Sequence, residues 1–414
     1  MDEELFKAAV VLYRERARER FSKEQSLARL WYFPSLSKPL PTNAIDKNPF
    51  LVPKTTFRIV DFFGDRMPIA FDRQSVDENV TMLSCYRTIL LDSNLYNYMH
   101  WFVCGEPGKE RERVEFSRLL EMLTSWRCDY NSLPYIFEQA AKNTAKEADS
   151  YTLHIMRDTF LLHNMNEALF SSSGEFHLDN HKLMAQFGTT EVDFDRHTQD
   201  VFTSLKLPRD QHAMVTLYHI LLLQCVKVRR SAASKNLSSA DQVRILMDFL
   251  THDVGFSNGR IMTVALLFFA GALDKFIPWQ PERNPEKAAK QIAGSAWDLF
   301  IISMPEIVLA HGARGLYEAP LALFCTADEE CARIAARFRI AEVAINHGGS
   351  PLPLVESDLQ GIDQMYGADF PVLQRDMSLA QANMRMLRAS GRVRPVKRQR
   401  LPHLLRDLRR ETGL

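Results

Sequence analysis

A chain of 414 residues, 46% of them hydrophobic, has room for two or three domains and enough apolar side chains for a large core. Its 51 Lys and Arg residues match its 51 Asp and Glu residues, so overall charge selects no class of partner. The six cysteines, Cys85, Cys104, Cys128, Cys225, Cys325 and Cys331, form no Cys-x-x-Cys pair. That pattern argues against a disulfide frame or a paired-cysteine zinc site and predicts reduced thiols in a cytoplasmic protein.

Residues 1–30 predict one helix dense in Arg and Glu, and the acidic start Met1-Asp2-Glu3-Glu4 has no signal-peptide charge pattern. Prolines make 31–55 an extended connector, and Thr55 to Phe63 reads as an edge strand. Next comes the pivotal stretch, Arg87-Thr88-Ile89-Leu90-Leu91, running straight into Asp92. A continuous apolar run suits a parallel central strand covered on both faces. Asp92 then lies at the strand's carboxyl end, where open α/β sheets place their chemistry. Ser93 or Asn94 can cap the helix that follows to about Val103. The bland reading of Asp92 is that it only caps that helix.

Arg111 to Trp126 is helical by period. Asn131 or Ser132 caps another helix, with Pro134 in its first turn and Glu138 among apolar neighbours. The pattern from 145 to 257 is almost wholly helical, and Gly259 to Leu273 continues it. Leu217 to Val226 and Val264 to Leu273 are too short to span a bilayer, so no membrane partner is expected. Pro285 to Leu309 predicts a helix broken near Pro305, carrying Asp298 in a strongly apolar stretch. A charge there is costly unless it is paired or binds a cation. Leu321 to Cys325 predicts a second buried strand, ending in Thr326-Ala327-Asp328, with a helix from Asp328 to Ile345. Beyond Gly348 the pattern is irregular.

The acids occur in the order strand–Asp, helix–Glu, helix–Asp, strand–Thr-x-Asp. Leu90-Leu91-Asp92-Ser93-Asn94, Asp129-Tyr130-Asn131 through Pro134 to Glu138, Ala296-Trp297-Asp298-Leu299 and Cys325-Thr326-Ala327-Asp328-Glu329 together resemble the motifs of the PIN-like nuclease superfamily. The resemblance spans about 85–150 and 258–345. It implies an α/β fold, a three-layer α/β/α core around a mainly parallel sheet, with Asp92, Glu138, Asp298 and Asp328 as catalytic metal ligands. The interval between Glu138 and Asp298 is longer than a compact member needs, so 145–257 reads as a helical insertion. The expected organisation is 1–80 as N-terminal helix and connector, 81–345 as core, and 346–414 as C-terminal extension.

Hard Mg²⁺ or Mn²⁺ takes oxygen ligands, and converging carboxylates hold it where one alone does not. Asn94 and Thr326 are expected in support. The implied activity is hydrolysis of a phosphodiester, foremost in single-stranded or structured RNA, with room for a protein regulator. Two other readings stand beside it. One is a non-catalytic helical scaffold with a degenerate nuclease core. The other is a metal-free ribonuclease, because Arg157 through His163 resembles the Arg-polar-x-x-x-x-His motif of HEPN ribonucleases. His177, Asp179 and His181 read as a polar loop in preference to a zinc site. The C-terminal segment is basic, and Arg392, Arg394, Lys397, Arg398 and Arg400 are the expected nucleic-acid contacts.

Overall fold

The computed structural model describes residues 3–34, 48–64, 66, 68–81, 84–132, 136, 138, 150–204, 209–256, 259–280, 284–312, 318–347, 351–392 and 395–414. The chain is mixed α/β, 61% helical, with sheets that include parallel pairs. It divides into two compact units: Met1–Leu207 with Ser303–Leu354, and Pro208–Ile302 with Val355–Leu414. The stretch read as a helical insertion contributes to both.

Helix α1 (Glu3–Lys23) stops earlier than its charge pattern implies. Strand β1 (Leu27–Tyr32) follows, because Leu30, Trp31 and Tyr32 are buried by sheet pairing. Strands β2 (Phe50–Leu51), β3 (Arg58–Asp61) and β4 (Ile69–Asp72) come next. The short α2 (Arg73–Asp77) is closed by a reciprocal capping box between Asp72 and Ser75. Strand β5 (Ser84–Leu91) is the apolar run before Asp92. After it come α3 (Leu95–Cys104), α4 (Glu110–Ser125) and β6 (Asp129–Asn131). Where a capped helix start was expected at Asn131, the chain forms a strand; Pro134 lies outside the described residues. Helices α5 (Ser150–His163), α6 (Glu167–Ser173), α7 (Asn180–Phe187) and α8 (Phe194–Ser204) complete this half of the first unit.

The second unit is built around α9 (Arg209–Lys235), against which α10 (Ser239–Phe249), α11 (Gly259–Phe269) and α12 (Pro285–Ile302) pack. The middle of α9 is buried almost all round, from Tyr218 to Val228, as a central helix requires. The apolar segment Pro285–Leu309 is long enough to cross a bilayer, yet 72% of its most apolar window is buried inside the protein. The helix breaks at Ser303, and Pro305 sits in the first turn of α13 (Met304–Gly312), where its missing N–H costs nothing.

Strand β7 (Glu318–Thr326) leads into the short α14 (Glu329–Ala335). The long helix expected to Ile345 instead yields to β8 (Phe338–Asn346), since Phe338-Arg339-Ile340 alternates buried, exposed, buried. Beyond Gly348 the chain is regular: β9 (Pro351–Ser357), α15 (Ile362–Tyr366), α16 (Asp369–Ala389) and α17 (Leu401–Thr412). Leu401 and Leu408 of α17 are buried and the helix packs on α9. Part of the basic segment is therefore a docked amphipathic helix with its arginines outward.

One sheet has the order β4-β1-β8-β9 and the other β2-β3-β7-β5-β6. In the second, β5 pairs in parallel with both β7 and β6, while β3 is antiparallel to β7. Ile89, Leu91, Leu323 and Cys325 face a core formed with α3, α4 and α5. On the other face Thr88, Leu90 and Phe324 are buried as well. This explains why β5 reads as a continuous apolar run. The Thr55–Phe63 strand is flanked on both sides, so it is not an edge.

Candidate metal centre at the ends of two parallel strands

Strands β5 and β7 run in register, with Leu91 beside Cys325, so both end at the same level. The next residues, Asp92 and Thr326, are adjacent although far apart in sequence. The Asp92 amide donates to the Cys325 carbonyl at 2.9 Å. The Thr326 hydroxyl donates to Asp92 Oδ2 at 2.6 Å, and the Asn94 side-chain amide reaches the same oxygen at 3.1 Å. Asp92 Oδ1 accepts from the Ser93 amide at 2.7 Å. Asn94 occupies the N-cap of α3 but makes no capping bond; its amide serves Asp92 instead. The carboxylate is only 1% exposed, so its charge is set by protein groups and not by bulk water.

Burial pushes the Asp92 carboxyl up to about 6. The negative charges of Glu138 and Asp328 push in the same direction, while the bonds from Thr326 and Ser93 oppose them. Glu138 is helical and buried, as is Ile136 beside it. Asp328 is exposed and does cap α14, accepting from the Cys331 amide at 2.9 Å. The capping reading of Asp328 therefore holds without removing it from the site. Thr326 ties the two acids together, because its hydroxyl oxygen also accepts from the Asp328 amide at 2.9 Å. Asp298 is half-buried on α12 and belongs to the second unit, whereas Asp92, Glu138 and Asp328 belong to the first.

The sign of the Asp92 shift has a measurable consequence. Its folded pKa lies above that of the free side chain, so between about pH 4 and pH 6 the native state holds more protons than the unfolded one. Stability falls as pH rises through that window, to a deficit of about 3 kcal/mol above it. Metal-free Asp92→Asn should melt higher than wild type at pH 7.5, with the gain shrinking toward pH 4. Identical melting at pH 7.5 would mean that the buried charge is already compensated.

The groups gathered here are carboxylates steadied by a hydroxyl and by amide N–H donors, and carboxylate oxygens are what a hard divalent cation takes. A buried carboxylate set against the negative charges of two other acids is also what such a cation neutralises. One nearby residue escaped the sequence reading. Arg58 on β3 pairs directly with Thr326 and forms an ion pair with Glu329 at 3.0 Å. No local motif marks it; only the strand pairing brings it there.

The other sequence candidates have local partners. Arg157 contacts Asp158 at 3.3 Å and Asp195 at 3.6 Å. The His163 ring stacks on Tyr130 at 4.7 Å, and its Nε2 lies 2.8 Å from the Tyr130 carbonyl. Tyr130 donates its hydroxyl to the Leu162 carbonyl at 2.5 Å, so this pair fastens β6 to α5. Asp179 caps α7 through the His181 and Lys182 amides. Arg392, Lys397, Arg398 and Arg400 are exposed in the second unit, and Arg394 lies outside the described residues. Compared with family models, with curated proteins and with solved structures, the chain matches none.

Proposed function

We propose that the protein is a metal-dependent nuclease of PIN-like type that hydrolyses phosphodiester bonds, foremost in RNA. The observation that carries this reading is Asp92: a desolvated carboxylate at the carboxyl end of a central parallel strand, bonded to Thr326 of the next strand and charged against Glu138 and Asp328. A sheet whose central strands are buried on both faces supports the three-layer core that the motifs imply. Asp92, Glu138 and Asp328 would hold Mg²⁺ or Mn²⁺; Asp298 rests on the sequence resemblance alone. The bound ion supplies activation of water and neutralisation of phosphate charge. The chain's part is orientation. Thr326 and the Ser93 amide fix the Asp92 carboxylate, and Asn94 steadies its Oδ2 from the solvent side.

Chelation should abolish cleavage of labelled RNA by the purified protein, and added Mn²⁺ should restore it. His163→Ala should leave metal-dependent cleavage within about twofold, because that ring is engaged with Tyr130. Cleavage that resists chelator and disappears in His163→Ala would transfer catalysis to the HEPN-like reading. A wild-type protein with no cleavage under any divalent ion would favour the scaffold.

A further inference from the structure

His100 and Cys104 stand one turn apart on α3, so their side chains share a face. Asp158 on α5 meets them across the helix contact. His100 Nδ1 lies 2.5 Å from Asp158 Oδ2, and Cys104 Sγ lies 3.6 Å from His100 Nδ1. All three potential ligand atoms fall within 4.8 Å of one another, the only such His/Cys/Asp/Glu group among the described residues. Asp158 is fully buried, so its charge must be met locally. Arg157 contacts its Oδ1 at 3.3 Å, which leaves Oδ2 turned toward His100. One oxygen steadied by a donor and the other presented inward is how ligating carboxylates are commonly held.

We propose that Cys104 Sγ, His100 Nδ1 and Asp158 Oδ2 form a zinc site, distinct from the Asp92 centre, with its fourth position open to solvent. Thiolate and imidazole with one carboxylate match a borderline-soft ion, whereas magnesium prefers oxygen alone. In a tetrahedral site with bonds of about 2.0–2.3 Å, ligand atoms sit roughly 3.3–3.6 Å apart. Cys104 and His100 already have that spacing at 3.6 Å. His100 and Asp158 must open by just under an ångström, and His100 is partly exposed and able to turn. On binding, Cys104 loses its thiol proton to solvent and the neutral His100 carries its hydrogen on Nε2. One proton is released per ion.

Two further features fit. Cys104 is exposed and lines a cleft of about 800 Å³ with Glu110, Arg113 and Phe176, which gives ions a path in. Arg157 Nη2 lies 3.6 Å from Cys104 Sγ and 3.3 Å from Asp158 Oδ1, and its Nη1 contacts Asp195 at 3.6 Å, so the guanidinium holds both ligand residues in place. The ion would tie α3, whose first turn follows Asp92, to α5.

Reduced, chelator-treated full-length protein should be titrated with Co²⁺. A thiolate-to-cobalt charge-transfer band should saturate at one equivalent and collapse on adding Zn²⁺. Cys104→Ser should erase the band, and His100→Gln should weaken cobalt affinity by at least about 100-fold. Asp92→Asn should leave both unchanged, because an all-oxygen centre gives no thiolate band. Cys104 is exposed, so its replacement spares the core, and melting of the metal-free variants checks this. No band in wild type, a band that survives Cys104→Ser, or a band lost in Asp92→Asn would each overturn the site.

Discussion

Asp92→Asn should lower RNA cleavage by roughly 10³-fold or more and remove Mn²⁺ binding seen by calorimetry, while the fold is kept. The size of the effect follows from the position. Asp92 is the most buried of the acids and holds bonds from Ser93, Asn94 and Thr326 at once. The asparagine fits the same space and keeps one acceptor oxygen, but it lacks the charge. The variant separates site from scaffold because its metal-free form should be more stable, not less, at neutral pH. Lost cleavage with unchanged Mn²⁺ binding would take Asp92 out of the metal's ligands and leave it a role with substrate. Unchanged cleavage would end the nuclease proposal as built on this strand.

The second large effect concerns nucleic-acid binding. Replacing Arg392, Lys397, Arg398 and Arg400 together by glutamine should weaken RNA binding at least 10-fold at moderate salt. The dependence of log affinity on log salt should flatten by up to about 3, from roughly 0.7 for each single-strand phosphate that is no longer neutralised. These side chains are exposed, so the change leaves packing alone. Truncating the whole segment would be a poorer experiment, since it removes α17 and uncovers the face of α9 that Leu401 and Leu408 cover. Each of those leucines contributes about 2 kcal/mol of apolar burial. An unaltered salt slope in the fourfold variant would assign the charge to a protein partner.

What the sequence disclosed follows from how local each signal is. The β5 run was legible because burial on both faces removes polar residues from a strand, and the acid at its end needs no partner to be seen. The helix break at Ser303 was legible from Pro305. Strand β8 was missed because period-two alternation over Phe338 to Ile340 merges into an apolar run at Val343-Ala344-Ile345 that a helix also tolerates. Strand β1 was missed because arginine-rich helix propensity continues into a segment that only β4 and β8 convert to a strand. Arg58 and the pairing of Asp158 with His100 were invisible for one reason. Each joins residues on different elements, and nothing in either local pattern names the other.

The parallel pairing of β5 with β7 also sets when the centre comes into being. Asp92 and Thr326 are 234 positions apart. At roughly 5–20 residues per second of synthesis, β5 waits between about 10 and 50 seconds for its neighbour to leave the ribosome. Closing a loop of that length costs about 5 kcal/mol of chain entropy before the strands reward it. Through that interval β5 has β6 on one side and an open ladder on the other, the kind of edge that other chains can pair with. The nascent protein thus carries β5 uncovered along that edge, and its acids unassembled, until β7 has been made. Late assembly of the centre is built into the order of the strands.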